Sequence, residues 1–410
     1  MRWLSAAPTH GPIDTVIPMR SSIWQQPGMR PLVAMTLAGF SGYAVLLPVA
    51  PLWAVQGGAG TGGAGLVNGT LLLFTVLTQL FVPAALRRFG WAPVLSVGMA
   101  LLGIPAGLYA VSDQLGPILV LSAVRGVGFG VLTVTGSAAV AALVGLSRRG
   151  EAIGTYGLAV ALPNLLLLPG GPWIAENVGF WVVFLISTLP LLGIPAAIRL
   201  AGALRVNAPD LLHRKGRDEP MDDGDSELAA YRRLLRPTAL LLSVTLAGGA
   251  VITFTPQMVT GDGLAAAGLL LMGLVAALSR WRAGVLADRY GAERFLPPLV
   301  VLTGVGCALV AWAVANEADT GAAVFLAGMV VIGFSYGALQ NLTLVVAFAV
   351  VSRRHHNLAS AVWNVGFDLG TAFGSVLVGV VAMQASFSSA LLVVACLAVA
   401  VLPVAMLRPR

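Results

Sequence analysis

The chain has 410 residues, of which 58% are hydrophobic and only 10% charged, against roughly 25% charged in an ordinary soluble domain. That balance excludes a soluble globular protein and defines one that lives in a membrane. The formal net charge of +7 would suggest a nucleic-acid partner in a soluble chain; here its distribution reports orientation, and no nucleic-acid site is indicated.

Residues 1–29 lack a long apolar run and contain Pro8, Pro12, Pro18 and Pro27. They read as a disordered cytoplasmic tail without the apolar core of a cleaved signal peptide. Long uncharged stretches follow, beginning with Pro31 to Leu86 and ending with Leu369 to Leu407. A hydrocarbon core about 30 Å thick is crossed by a helix of about 20 residues, and dividing the stretches at Gly-, Pro- and Asn-rich points predicts twelve spans. They cover 32–55, 63–86, 91–111, 116–145, 152–174 and 178–198, then 237–259, 263–286, 296–315, 321–350, 358–383 and 387–407. Backbone polar groups find no water in lipid, and the spans are too long and uniformly apolar for barrel strands, so an all-α membrane protein is expected.

The interval 201–236 is the long hydrophilic one, with Arg214-Lys215-Gly216-Arg217 followed by Asp222-Asp223-Gly224-Asp225. It reads as a cytoplasmic linker, with amphipathic structure around Glu227 to Leu235. It separates a six-span unit over 30–200 from a second over 237–410. All 24 Lys and Arg residues except Arg125 fall in the termini or in connections between even and odd spans, while the opposite connections carry only Asp113, Glu176, Asp262, Glu317 and Asp319. By the positive-inside rule both termini are cytoplasmic. A multi-pass protein of the inner (cytoplasmic) cell membrane is expected, with lipids as its surroundings. Cys307 and Cys396 fall inside spans and read as buried free thiols.

The segment Gly284-Val285-Leu286-Ala287-Asp288-Arg289-Tyr290-Gly291 lies between two apolar runs. Gly284 permits close helix packing, Asp288 offers an anion to a helix N-terminus, and Gly291 permits a tight reversal. A shift of 201 residues lays Pro83 to Gly90 on this segment, matching Arg88 to Arg289 and Gly90 to Gly291; a shift of 200 lays Asn164 on Asn364 and Gly170 on Gly370. With the topology, Gly284, Asp288, Arg289 and Gly291 resemble the cytoplasmic loop motif G-x-x-x-D-R-x-G of the major facilitator superfamily, over roughly residues 30–407. The resemblance implies two pseudo-symmetric bundles of six transmembrane helices with a pathway between them, working as a monomeric secondary transporter.

The first copy of the motif departs from the pattern, with Pro83 and Arg87 in place of the glycine and the acid. The expectation is a one-sided cytoplasmic latch, in which Asp288 faces Arg148 and Arg149 at the start of the fifth span. Two ionisable side chains are read as lying well within spans, Arg125 and Asp368; a charge at the centre of a membrane helix costs about 2.5 to 3.5 kcal/mol, so each needs a reason. Arg125 opens Arg125-Gly126-Val127-Gly128-Phe129-Gly130 and partly resembles the fourth-helix arginine motif of proton-coupled members. It is a candidate for binding a substrate anion or controlling a proton site, with an arginine bonded to helix carbonyls as the structural alternative.

Ser360, Asn364, Asp368, Thr371 and Ser375 recur at helical spacing on one face of the eleventh span, and Asn68, Thr75 and Gln79 on one face of the second. In the superfamily fold these spans are neighbours, so the stripes are expected to meet. A buried carboxylate without a cation partner can bind and release a proton, which makes Asp368 the proton-coupling candidate; a structural carboxyl at the seam is the alternative. Pro163-Asn164 and Pro169-Gly170-Gly171-Pro172 resemble a degenerate antiporter motif and predict a kinked fifth span packed closely on the other half. Tyr43, Gln257, Tyr336, Gln340 and Asn341, with Ser41, Thr245 and Thr253, describe a pocket of aromatics and amides suited to small amphiphiles.

No phosphate-binding loop, metal-ligand cluster or catalytic constellation occurs, so neither a cofactor nor an enzymatic activity is expected. The sequence points to proton-coupled export of drugs or metabolites by alternating access. Proton-coupled uptake of a nutrient or organic anion is the alternative, and a non-transporting membrane sensor or scaffold the alternative of another class.

Overall fold

The computed structural model describes residues 23–143, 149–207, 226–260, 263–316, 321–352 and 355–407; the side chains of Ala141, Arg149, Gly150, Glu151, Ile153, Val206, Asn207, Asp288 and Asn357 lie outside the description. The tail to residue 22 and the linker core from Arg214 to Asp225 are also outside it. The described residues form helices and no strand. Twelve of the helical segments are long and apolar enough to cross a membrane: Met29–Gln56, Thr61–Phe89, Trp91–Val111, Leu115–Val140, Gly154–Asn177 and Phe180–Arg205, then Glu227–Met258, Leu264–Ala287, Glu293–Ala315, Gly321–Ala349, Leu358–Gln384 and Phe387–Met406.

Short connections make successive spans antiparallel, so an even number brings the two ends of the chain to one side. That side carries Arg87, Arg88, Arg205, Arg232 and Arg294 and is called the basic end below; the opposite side is the far end. Two differences from the expected spans matter. The seventh span is continuous with the segment from Glu227, whose N-cap Ser226 accepts from the Ala229 N–H at 3.2 Å. The eighth, expected over 263–286, runs helical to Tyr290 and carries Arg280 and Arg282 within the span, so Arg125 is not alone among the basic residues in lying outside the termini and connections. Cys307 is buried as expected, but Cys396 is exposed on the twelfth span; both are free thiols.

The internal repeat is visible in local geometry. Gly90 and Gly291 end the second and eighth spans at φ of 79° and 80°, a backbone region open to glycine and strained for other residues. Each caps its helix the same way, the Gly90 N–H donating to Leu86 O at 3.0 Å and the Gly291 N–H to Ala287 O at 2.9 Å. Asn164 and Asn364 likewise donate to carbonyls one turn back, Val160 O and Ser360 O, both at 2.8 Å. Within the second half, Arg236 ties three spans together: it pairs with Glu293 and donates to Val404 O and Ala405 O, both at 3.1 Å.

Proline shapes the first span. It consists of helices Met29–Leu46 and Val49–Gln56, because Pro48 and Pro51 lack the N–H groups that would bond one turn back. The carbonyl freed by Pro51, Leu47 O, accepts from Asn68 Nδ2 of the second span at 2.9 Å.

Candidate functional site

The second and eleventh spans meet along small residues. Gly62 faces Met383, Gly65 faces the Ser375 backbone, Gly69 faces Val376, and Gly379 faces Thr61 and Gly65; none of the four glycines has room for a methyl group without displacement. This is small-residue helix packing, which lets backbones approach in a membrane. The hydroxyls exploit it: Ser375 Oγ donates to Gly65 O at 2.8 Å and Thr61 Oγ1 to Gly379 O at 3.3 Å. Asn68 Nδ2 adds a bond to Thr253 Oγ1 of the seventh span at 2.9 Å, so one amide joins the broken first span to the second half.

Deeper along the same seam, Gln79 Nε2 donates to Asp368 Oδ2 at 2.7 Å and to Thr133 Oγ1 of the fourth span at 3.2 Å. Asp368 is 5% exposed. Gln79 Oε1 has no partner. A primary amide donates to a carboxylate and accepts from a carboxylic acid, so Gln79 can follow either protonation state of Asp368. The other stripe residues do not join this bridge. Thr75 Oγ1 donates to Leu71 O and Gly126 O, Asn364 to Ser360 O, and Thr371 to Phe367 O, all of which satisfy helix carbonyls.

Arg125 is 0% exposed. Its Nη2 donates to Gly42 O of the first span at 3.1 Å, its guanidinium lies 5.7 Å from the Tyr109 ring centre, and Nε and Nη1 have no partner. One turn on, Phe129 stacks face to face on Tyr43 with ring centres 3.7 Å apart. Neither Arg125 nor Asp368 forms an ion pair among the described residues.

In the second half the Tyr336 ring fills the space beside Gly248 and lies 6.4 Å from Phe367, which stacks on Trp363 at 5.7 Å. Gln340 Nε2 and Gln257 Nε2 are buried without partners. Asn341 is turned away from the others and donates to Arg280 O at 2.7 Å.

The fifth span meets the other half as expected, but not through its Pro-Gly motif. Gly171 packs on the Val45 carbonyl of the first span, in its own half, and Gly170 faces open space; the eighth span is met by Leu165, against Gly273. Below this contact the two helices part. On the fifth span Ala161, Leu158 and Gly154 are exposed, on the eighth Ala277 and Arg280 are exposed, and nothing lies near Gly154 or Gly157. In the loop motif, Gly284 packs against Asn341 Nδ2, while Arg289 is exposed. The latch itself lies outside the description, since Arg148 and the side chains of Asp288 and Arg149 are not described.

Twelve antiparallel spans in two repeated halves, with polar and ionisable side chains concentrated between them, define a membrane transporter of the two-bundle kind. The sequence profile of the Major Facilitator Superfamily matches residues 32–344 and again 283–410, and the chain belongs to that family. The staphylopine export protein of Staphylococcus aureus strain Mu50 is 23% identical over 394 residues, spanning 92% of this chain and 95% of its own. Among solved structures, an inward-facing, unoccupied bacterial homolog of the human lysosomal transporter Spinster superposes with a TM-score of 0.71 at 14% identity, covering 94% of this chain and 97% of the other. The nucleoside transporter NupG superposes with a TM-score of 0.63 at 12% identity, covering 92% and 98%.

Proposed function

We propose that the protein is a proton-coupled exporter of small amphiphilic molecules in the inner cell membrane, acting as a monomer with its basic end in the cytoplasm. The observation that carries this reading is the Gln79–Asp368 bond, because it places the one described acid deep between the halves on the contact that joins them. An ionised Asp368 holds the seam through a charge-assisted hydrogen bond, which is roughly twice as strong as a neutral one. Protonation weakens that bond to a neutral one and gives a carboxyl that can also donate to Gln79 Oε1. Loading a proton from the outside would therefore change the strength of the seam, and substrate would leave in exchange. Proton and conformation are coupled through one side chain and its partner. Likeness to a protein named for export supports the direction, and the distribution of basic residues supports the orientation.

Uptake of an organic anion is the competing reading, favoured by the unpartnered donors of Arg125. Proteoliposomes with an imposed pH gradient and a panel of labelled amphiphiles separate the two by the direction of flux relative to protons. Asp368→Asn is expected to abolish gradient-driven flux while leaving downhill exchange intact. Unchanged gradient-driven flux in that variant would remove Asp368 as the coupling site, and a complete absence of proton-linked flux across the panel would favour a sensor or scaffold.

A further inference from the structure

Arg280 lies in the middle of a helix, roughly 15 Å before its end at Tyr290 at 1.5 Å per residue, yet it is exposed. Its guanidinium makes no hydrogen bond or ion pair among the described residues. It sits on the face of the eighth span that carries Gly273, two turns nearer the basic end, where the fifth and eighth spans have parted. It therefore borders the opening between the halves. Its backbone carbonyl accepts from Asn341 Nδ2 of the tenth span, the helix that carries Tyr336.

The repeat explains why this arginine lacks a partner. The 201-residue shift that superimposes Gly90 on Gly291 lays Gln79 on Arg280, and the 200-residue shift that superimposes Asn164 on Asn364 lays Leu168 on Asp368. Gln79 and Asp368 bond across one seam; Arg280 and Leu168 hold the matching places in the repeat. The eighth span thus presents a cation at the position where its mate finds a carboxylate, and the stretch of the fifth span level with it, Gly154, Leu158 and Ala161, carries no acid. A guanidinium offers a planar fork of donors that matches a carboxylate. Among the described residues no acid pairs with Arg280. Gly337, next to Tyr336 in the tenth span, packs on Ala276 O and Ser279 Oγ of the eighth, and the rings of Tyr336, Phe367 and Trp363 form an apolar run from there.

We propose that Arg280 is a substrate-recognition residue and that the substrate is a small organic acid, whose carboxylate pairs with Arg280 while its apolar part lies on the Tyr336–Phe367–Trp363 wall. This rests on the transporter reading above and narrows its substrate class from amphiphiles in general to carboxylate-bearing ones.

The test uses the purified full-length protein and matched probes, 4-phenylbutyrate and its uncharged amide, with acetate and hexanoate as shorter acids; binding is read by tryptophan fluorescence. Wild type is expected to bind the aromatic acid at least about tenfold tighter than the amide, the scale of one charge-assisted hydrogen bond. Arg280→Gln, which gives the eighth span the residue its repeat mate carries, should erase that preference without weakening amide binding, and Arg280→Lys should restore part of it. Equal binding of acid and amide by wild type, no binding of any acid, or an acid preference retained in Arg280→Gln each overturns the proposal. Proton-linked flux of the amide through Arg280→Gln reports on the exporter reading separately, so that reading can stand while this one falls.

Discussion

The seam between the second and eleventh spans and the seam between the fifth and eighth are counterparts under the internal repeat, yet they are built differently. The first packs glycines on backbone and carries directional bonds from Thr61, Ser375 and Gln79. The second meets through Leu165 on Gly273 and opens toward the basic end. A seam locked by hydrogen bonds keeps its register and is a fitting place for a proton-sensitive bond. A leucine resting on a glycine can slide apart without leaving a buried polar group unpaired, which would cost about 1 to 3 kcal/mol. The asymmetry of one duplicated design thus separates a hinge-like seam from one that parts.

The comparison can be broken at the closed seam first. Gly65→Val places a branched side chain against the Ser375 backbone; overpacking of this kind costs about 1 to 3 kcal/mol. The variant is expected to lose thermal stability in detergent and to admit thiol reagents to a cysteine introduced at Thr61. An unchanged melting temperature would show that the seam is looser than its packing implies. Asn68→Ala comes next. It removes the bond to Thr253 and leaves Leu47 O unpaired beside Pro51, a loss of about 1 to 3 kcal/mol, and should bias the far end toward opening. Labelling of a cysteine at position 61 should rise less than in Gly65→Val.

At the parted seam, a Leu158→Cys reporter should label readily from the basic end. Adding Ala161→Asp, on the same exposed face of the fifth span, offers Arg280 a carboxylate across the opening, and labelling at 158 should fall. The smallest effect is expected at the helix ends, where Gly90→Ala and Gly291→Ala each force alanine to positive φ at about 1 to 2 kcal/mol. Chemical denaturation should show similar losses for the two, and a large difference would mean that the two caps are not equivalent.

Much of this was legible in the sequence, for physical reasons. Uncharged stretches of span length admit only helices in lipid, so the number of spans and their alternation follow from composition. The offset between the halves was readable from Arg88, Gly90, Asn164 and Gly170 against their partners. The juxtaposition of Gln79 and Asp368 is one that stripes on neighbouring helices suggest. The buried state expected of Cys396 was not met, because an apolar neighbourhood in sequence is the same for a lipid-facing and an interior position. Arg280 was passed over because a basic residue near a span end looks like a loop residue; the repeat offset, which pairs it with Gln79, was the signal that would have found it.

What the sequence determined by itself is the set of helices, their order and the duplication, since these depend on local composition and on spacing along one chain. The tertiary structure decided which polar groups find partners. Whether Gln79 reaches Asp368, whether Arg125 is left with two unpartnered donors, and whether Arg280 borders an opening or a packed wall depend on distances across the seam between halves. Those distances are set by side-chain packing between residues far apart in the chain, Gly65 against Ser375 and Leu165 against Gly273, and no pattern within a single helix encodes them.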